Sequence, residues 1–284
     1  MAYLLGVDIG TSGTKTVLFR ENGQAVASAT VEYPLYQPKV GWAEQDPDDW
    51  YRATVDTIAQ VVAQSGVSPR DIVGMGLSGQ MHGSVLLDKS GKVLRRALLW
   101  CDQRTEEEAA QVNDIVGLER MMAITCNPAL TSFTATKVQW VKNHEPEIYE
   151  KIAKVLLPKD YVRYRLTGVF ASEVSDASGT SWLDVPNRCW SREILSKLDV
   201  PYEWMPDMYE SYEISGTLTA EAAEKTGLWA GMPVAGGGGD QASGAVGNGI
   251  VKSGVISSTI GTSGVVFACT DRLAMDPRGR TQTF

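Results

Sequence analysis

Paired cysteines, histidines, an excess of basic charge and long apolar runs are what this sequence has least of, and each shortage closes off a class of function. The four cysteines, Cys101, Cys126, Cys189 and Cys269, lie far apart, without the Cys-x-x-Cys spacing used by structural zinc or dithiol sites. They read as free thiols of a reducing compartment. Lysine and arginine number 26 against 34 acidic residues, a formal net charge of -8. No general positive field is therefore available for a nucleic-acid backbone, and any anionic ligand must be gripped by local groups. No apolar run reaches membrane-spanning length, and Met1 to Gly10 arrives at the acidic Asp8 without a basic segment or a small-residue cleavage site. The expectation is a cytoplasmic protein with neither nucleic-acid nor membrane partners.

What is present suits an α/β protein. At 284 residues and 43% hydrophobic content, the chain can build one large domain or two ordinary ones. Tyr3 to Ile9 reads as a buried strand, Gly10 to Gly13 as a turn, Thr16 to Arg20 as a returning strand, and Asn22-Gly23 as a hairpin turn into Gln24 to Tyr33. Asp46-Pro47-Asp48-Asp49 offers an N-cap, a first-turn proline and early negative charge before Trp50, Thr54, Ile58, Val61 and Val62 at helical spacing, with Gly66 as the stop. Ile72 to Leu77, Ser84 to Asp88 and Lys92 to Trp100 are predicted strands. Glu106 to Val116, Ala135 to Asn143, Pro146 to Ala153 and Ser191 to Leu198 are predicted helices.

One string recurs. Ile-Gly-Thr-Ser-Gly occurs at Ile9 to Gly13 and again at Ile260 to Gly264, each time between two strand-like runs. A structural hairpin repeated by chance is one reading, and a duplicated domain with one phosphate-facing hairpin per copy is the better one. Glycine lets backbone N–H groups approach an oxyanion, and Thr and Ser add hydroxyl donors. Asp8 beside the first turn can hold a hydrated Mg²⁺. Lys15 supplies positive charge nearby or is a solvated surface lysine. It follows Thr14 where a P-loop needs glycine, so the string is not a P-loop.

Gly74 to Gly79 fits Gly-x-Gly-x-x-Gly, but Gln80-Met81-His82-Gly83 and another strand follow where a dinucleotide fingerprint needs a helix. That loop at a strand end instead exposes Gln80 and His82 in a glycine frame suited to sugar hydroxyls; the alternative is a structural histidine. Gly236 to Gly239 places the carboxylate of Asp240 where backbone is unusually accessible, as a general base or as a helix cap. Trp100 to Arg104 combines an aromatic, a carboxylate and a guanidinium, either for a ligand or as Asp102 paired with Arg104.

Together these strings resemble the FGGY carbohydrate kinases. The resemblance includes Gly6 to Ser12, Ser78 to Gly83, Ser132 to His144, Leu157 to Tyr161, Ser175 to Thr180 and the glycine run ending in Asp240. It implies an actin-like ATPase, ribonuclease H-like fold, a mixed sheet flanked by helices. Residues 1–247 would be the N-terminal, sugar-binding domain. Residues 248–284 would begin a C-terminal, nucleotide-binding domain cut short at Phe284, leaving the adenosine pocket outside the chain and the chain inactive alone. ATP and Mg²⁺ are the implied cofactors, with Asp240 as base and Asp8 holding the metal through water. Gln80, Met81, His82, Asp102 and Gln241 fall to the sugar, and Gly10, Thr11, Ser12, Lys15, Gly261, Thr262 and Ser263 to the ATP phosphates.

Met81-His82 is similar to the sugar-contacting pair of the branch that phosphorylates xylulose, where glycerol-phosphorylating members carry Arg-Glu. Cys101, Ser132, Thr136 and Gln241 depart from the usual Asn, Gly, Pro and Asn. A kinase for ribulose or gluconate and a non-catalytic actin-like nucleotide-binding scaffold are the alternatives. A homodimer is compatible with the resemblance.

Overall fold

The computed structural model describes residues 1–260 and 264–284. Strands β1 (Tyr3–Ile9), β2 (Gly13–Arg20) and β3 (Ala25–Glu32) form an antiparallel meander. Helix α1 (Pro47–Ser65) crosses it, capped by the Asp46 carboxylate on the Asp48 N–H and ended by Gly66 at φ 63°. Its inner stripe of Trp50, Ile58 and Val61 is fully buried. Each such side chain contributes about 1.5–3 kcal/mol. The Thr16 and Thr57 hydroxyls satisfy each other across this contact at 2.8 Å.

β4 (Ile72–Gly79) returns parallel to β1. Helices α2 (Glu106–Val116), α3 (Leu118–Thr125), α4 (Thr134–His144) and α5 (Pro158–Thr167) follow. After β5 (Ile214–Thr217), α6 (Ala220–Thr226) and β6 (Pro233–Ala235), the two-residue strand β7 (Gly238–Gly239) leads directly into α7 (Asp240–Gly247). The sheet has seven strands in the order β5-β6-β4-β1-β2-β3, with β7 also pairing on β4. Its core joins β1, β2 and β4 to α1, α5 and α6. A second core lies under α2, α3 and α4 around Trp140, Trp182, Trp190 and Trp204. The hairpin of β8 (Ile256–Ile260) and β9 (Gly264–Ala268) forms a two-stranded sheet of its own.

Two expectations need correction. Lys92 to Trp100 is not one strand: Val93 makes an isolated bridge to Leu87, and only Ala97–Leu98 is extended pairing. In between, Arg95 bonds Glu44 and Glu145, each at 2.7 Å, and Arg96 lies over Tyr36, so side-chain pairing has replaced the ladder. Pro146 to Ala153 is helical only over Pro146–Tyr149. The Gly-x-Gly-x-x-Gly run is strand through to Gly79, and no helix follows it.

Candidate active site

The register of the sheet places the acidic and basic candidates in one row. Lys15 of β2 lies opposite Asp8 of β1, Asp8 opposite Ser78 of β4, and Ser78 opposite Gly238 of β7. Two residues on from Gly238, Asp240 opens α7. Asp8 is reached by solvent and Asp240 is half-buried. The Asp240 carboxyl is pushed up to about 6, first by burial and then by the charge of Asp8, against hydrogen bonds from Gln241. Asp8 is also raised, by the protein walls that limit its hydration, while the Ser78 hydroxyl and Lys15 pull it down. The Asp8 charge thus works against ionisation of Asp240 at the same end of the sheet.

Local backbone explains why glycine precedes Asp240. Gly237 has φ +77°, and a Cβ there would lie 2.0 Å from the Leu77 carbonyl oxygen. A Cβ on Gly239 would lie 2.8 Å from both Cγ and Sδ of Met81. The thioether therefore packs directly on the backbone that presents Asp240, which joins the Gln80 to Gly83 loop to that carboxyl.

Within that loop, His82 has φ +66° and is 8% exposed. Its Nδ1 is 2.9 Å from the Gly179 carbonyl oxygen, and its ring stacks on Phe133 at 4.7 Å. Its own carbonyl accepts from Lys137 Nζ at 2.9 Å and from the Thr134 hydroxyl at 3.2 Å. Burial, with Lys137 adding, lowers the imidazole to about 4. A neutral ring that donates from Nδ1 to a carbonyl keeps Nε2 as an acceptor. Gln80 turns elsewhere: its amide donates to Gln45 at 2.9 Å and accepts from the Thr11 hydroxyl at 3.3 Å. It braces the first hairpin from the side of the Met81-His82 loop.

That hairpin is tied on several sides. Gly10 N–H donates to Gly13 O at 3.1 Å, Tyr33 OH donates to Gly10 O, Gln45 donates to Thr11 O at 2.7 Å, and Trp100 Nε1 donates to the Thr11 hydroxyl at 3.0 Å. Ser12 and Lys15 are exposed. Asp102 is fully buried. It accepts from Ala43 N–H at 2.6 Å and from Arg104 at 2.7 to 3.1 Å. Gln241 is half-buried beside Asp240. Gly261, Thr262 and Ser263 lie outside the described residues.

Sequence reasoning gave no role to the ionic cluster beneath the opening. Lys159 Nζ lies 2.8 Å from Asp160, 3.3 Å from Glu173 and 3.1 Å from Asp176, all fully buried. Arg163 pairs with Asp160 at 2.6 Å and donates to Gly236 O. Burial first, then Asp160 and Glu173, push Asp176 up to about 8 against the pull of Lys159. The strings Leu157 to Tyr161 and Ser175 to Thr180 were the cluster's only signal.

Among the described residues no three His, Cys, Asp or Glu side chains cluster as a ready metal cage. The solvent-reached carboxyl of Asp8 fits a hydrated Mg²⁺, which takes one or two carboxylates and completes its shell with water and phosphate oxygens. No helix among the described residues is long and apolar enough to cross a membrane.

The xylulose kinase of Bacillus subtilis (strain 168) is 43% identical over 284 residues, 100% of this chain and 57% of the relative. The crystal structure of xylulose kinase from Rhodospirillum rubrum superposes with TM-score 0.93 at 30% identity, covering 97% of this chain and 57% of that one. Gluconate kinase from Lactobacillus acidophilus gives 0.92 at 27%, covering 98% and 56%. The chain thus spans a little over half the length of these relatives, and its mixed sheet is that of the actin-like ATPase fold. Residues 3–247 match the N-terminal domain of the FGGY family of carbohydrate kinases, and on that match the chain belongs to this family.

Proposed function

We propose that the chain supplies the sugar-binding side of an ATP-dependent kinase that converts D-xylulose to D-xylulose 5-phosphate, with Asp240 as general base. Residues 1–247 form the sugar-binding domain and residues 248–284 begin the nucleotide-binding domain. With a second domain of the length its relatives have, they make the complete two-domain enzyme. The observation that carries this reading is the convergence of a half-buried Asp240, raised to about 6, with the Met81-His82 loop packed against the glycine that precedes it.

The sugar's terminal hydroxyl gives its proton to the Asp240 carboxylate while its oxygen forms the new bond to the γ-phosphorus of ATP. The bond from that phosphorus to the β,γ-bridging oxygen breaks, and ADP leaves. A base with a pKa near the operating pH is efficient at this step and typically contributes about 10²–10⁴-fold. His82 accepts a sugar hydroxyl at Nε2, Met81 forms an apolar wall, and Gln241 borders the acceptor. Asp102 enters through Arg104 and the loop it shapes. Gly10, Thr11, Ser12 and Lys15, with Gly261, Thr262 and Ser263 of the second hairpin, line the phosphates. Asp8 would hold Mg²⁺ through water, and the ion when bound neutralises charge on the transferring phosphoryl group.

A gluconate kinase of nearly the same fold supports a second reading, in which another sugar or polyol is the acceptor. Coupled ADP-release assays of the two-domain enzyme with xylulose, ribulose, gluconate and glycerol test both. Xylulose should give the highest kcat/KM; preference for another acceptor would transfer the site to that substrate. Residues 1–284 alone are expected to bind xylulose weakly and to release no sugar-dependent ADP.

A further inference from the structure

We infer that the buried pair Glu173 and Ser175 is a positioning device for Asp240, acting through the amide of the residue before it; this rests on Asp240 being the base. Glu173 ends the short strand Ala171–Glu173 and is fully buried. Its carboxylate accepts from Ser175 N–H and Asp176 N–H, both at 2.8 Å, and from the Ser175 and Ser211 hydroxyls, both at 3.0 Å. Lys159 Nζ lies 3.3 Å away.

A serine hydroxyl has one proton, and that of Ser175 is donated to Glu173, which leaves its lone pairs facing the other way. There, 3.1 Å off, stands Gly239 N–H. The pair turns a buried carboxyl into the anchor of an oriented acceptor for the amide next to Asp240. A helix-capping role accounts for the bonds to Ser175 N–H and Asp176 N–H at the start of Val174–Ala177. It does not account for Ser175 Oγ reaching a residue 64 positions along the chain. The other end of the same glycine run is held by Arg163 on Gly236 O. The run has no Cβ atoms with which to lock itself by packing, so hydrogen bonds to its backbone set where Asp240 stands. Neither Glu173 nor Ser175 need touch substrate. A base displaced by a fraction of an ångström loses rate while sugar contacts on the His82 loop are kept.

The test uses Ser175→Ala and Ser175→Thr. In the two-domain enzyme, Ser175→Ala should lower kcat about 10–100-fold with xylulose KM unchanged within about twofold, whereas Ser175→Thr, which keeps the hydroxyl, should restore most of the rate. In the 284-residue chain, amide hydrogen exchange across Gly236 to Asp240 should quicken about tenfold in Ser175→Ala, as expected for one lost hydrogen bond, and not in Ser175→Thr. If the alanine variant does not fold, Ser175→Cys, a weaker acceptor of similar size, gives the same two readouts at intermediate strength. Unchanged kcat and unchanged exchange, or a rise in xylulose KM alone, would overturn the inference. Asp240→Ala separates this from failure of the base assignment: if it keeps full turnover, the assignment itself falls. If it is inactive while Ser175→Ala behaves as wild type, only the positioning role falls.

Discussion

Two copies of Ile-Gly-Thr-Ser-Gly sit in this molecule in very different company. The first joins β1 to β2 inside a seven-stranded sheet, and its Ile9 is 0% exposed while the isoleucine of the second, Ile260, is 88% exposed. Around the first, Tyr33, Gln45, Gln80 and Trp100 each bond the turn or its flank. Among the described residues the second has only its own partner strand in the ladder. A two-stranded hairpin by itself is marginal in water. The same string thus lies between paired strands in both places, and among the described residues only the first copy has further strands and side chains to hold it.

If chemistry belongs to the embedded edge, its carboxylate carries the largest effect. Asp240→Ala in the two-domain enzyme is expected to lower kcat about 10²–10⁴-fold while xylulose binding survives, because the carboxylate acts mainly in the transition state. Single-turnover rates alongside a sugar titration measure both. Near-normal turnover would move the chemistry away from this strand end.

The comparison itself can be tested by placing the same substitution in both copies. An alanine Cβ at Gly13 would lie 2.7 Å from Val31 O and 3.1 Å from Glu32 Cα, whereas at Gly264 it would lie 4.0 Å from Thr259 O. Gly13→Ala should destabilise the chain by about 1–3 kcal/mol, since the obstacle is backbone of the adjacent strand. Gly264→Ala should stay within about 0.5 kcal/mol. Denaturant midpoints for the two variants would show the contrast, and equal losses would mean that the copies are held alike.

Legibility in the sequence followed the same division. The meander, the Asp46 cap, the Gly66 stop and the glycine run before Asp240 all express local preferences, and each is found where the sequence places it. The cluster of Lys159, Asp160, Arg163, Glu173 and Asp176 was not legible, because charged residues usually mark surface unless paired, and the pairing is tertiary. Asp102 belongs with them. Its string left a ligand and an ion pair equally open, and the position of Ala43 N–H, which the Asp102 string does not contain, decides where the carboxylate points. Lys92 to Trp100 failed as a strand for a related reason, since the partners of Arg95 are Glu44 and Glu145, 51 and 50 residues away.

The His82 loop sharpens the comparison from the sugar side. His82→Ala removes an acceptor held by Gly179 and Phe133, and should weaken xylulose binding about tenfold with little change in the ATP KM. An effect confined to ATP would assign the loop to the nucleotide instead.

The smallest expected effect concerns the cost of keeping Asp240 ready. Its folded-state pKa, about 6, lies above the usual 3.8, so folding favours the protonated form. Its stabilising contribution is complete below about pH 4 and lost as pH rises through about 6. At neutral pH the ionised carboxylate therefore works against the fold, chiefly through burial and the charge of Asp8. Asp240→Asn keeps the shape and removes the charge. A two-unit shift corresponds to at most about 3 kcal/mol, and partial exposure reduces that to about 1–2 kcal/mol. The asparagine variant of the 284-residue chain should melt higher than wild type at about pH 8, with the gap closing as pH falls toward 4. Such a variant would be more stable and less active, the trade expected where a half-buried carboxylate is kept for chemistry. Equal melting temperatures across that range would mean that Asp240 is as well solvated as an ordinary surface aspartate, and the embedded strand end would lose its claim to a tuned base.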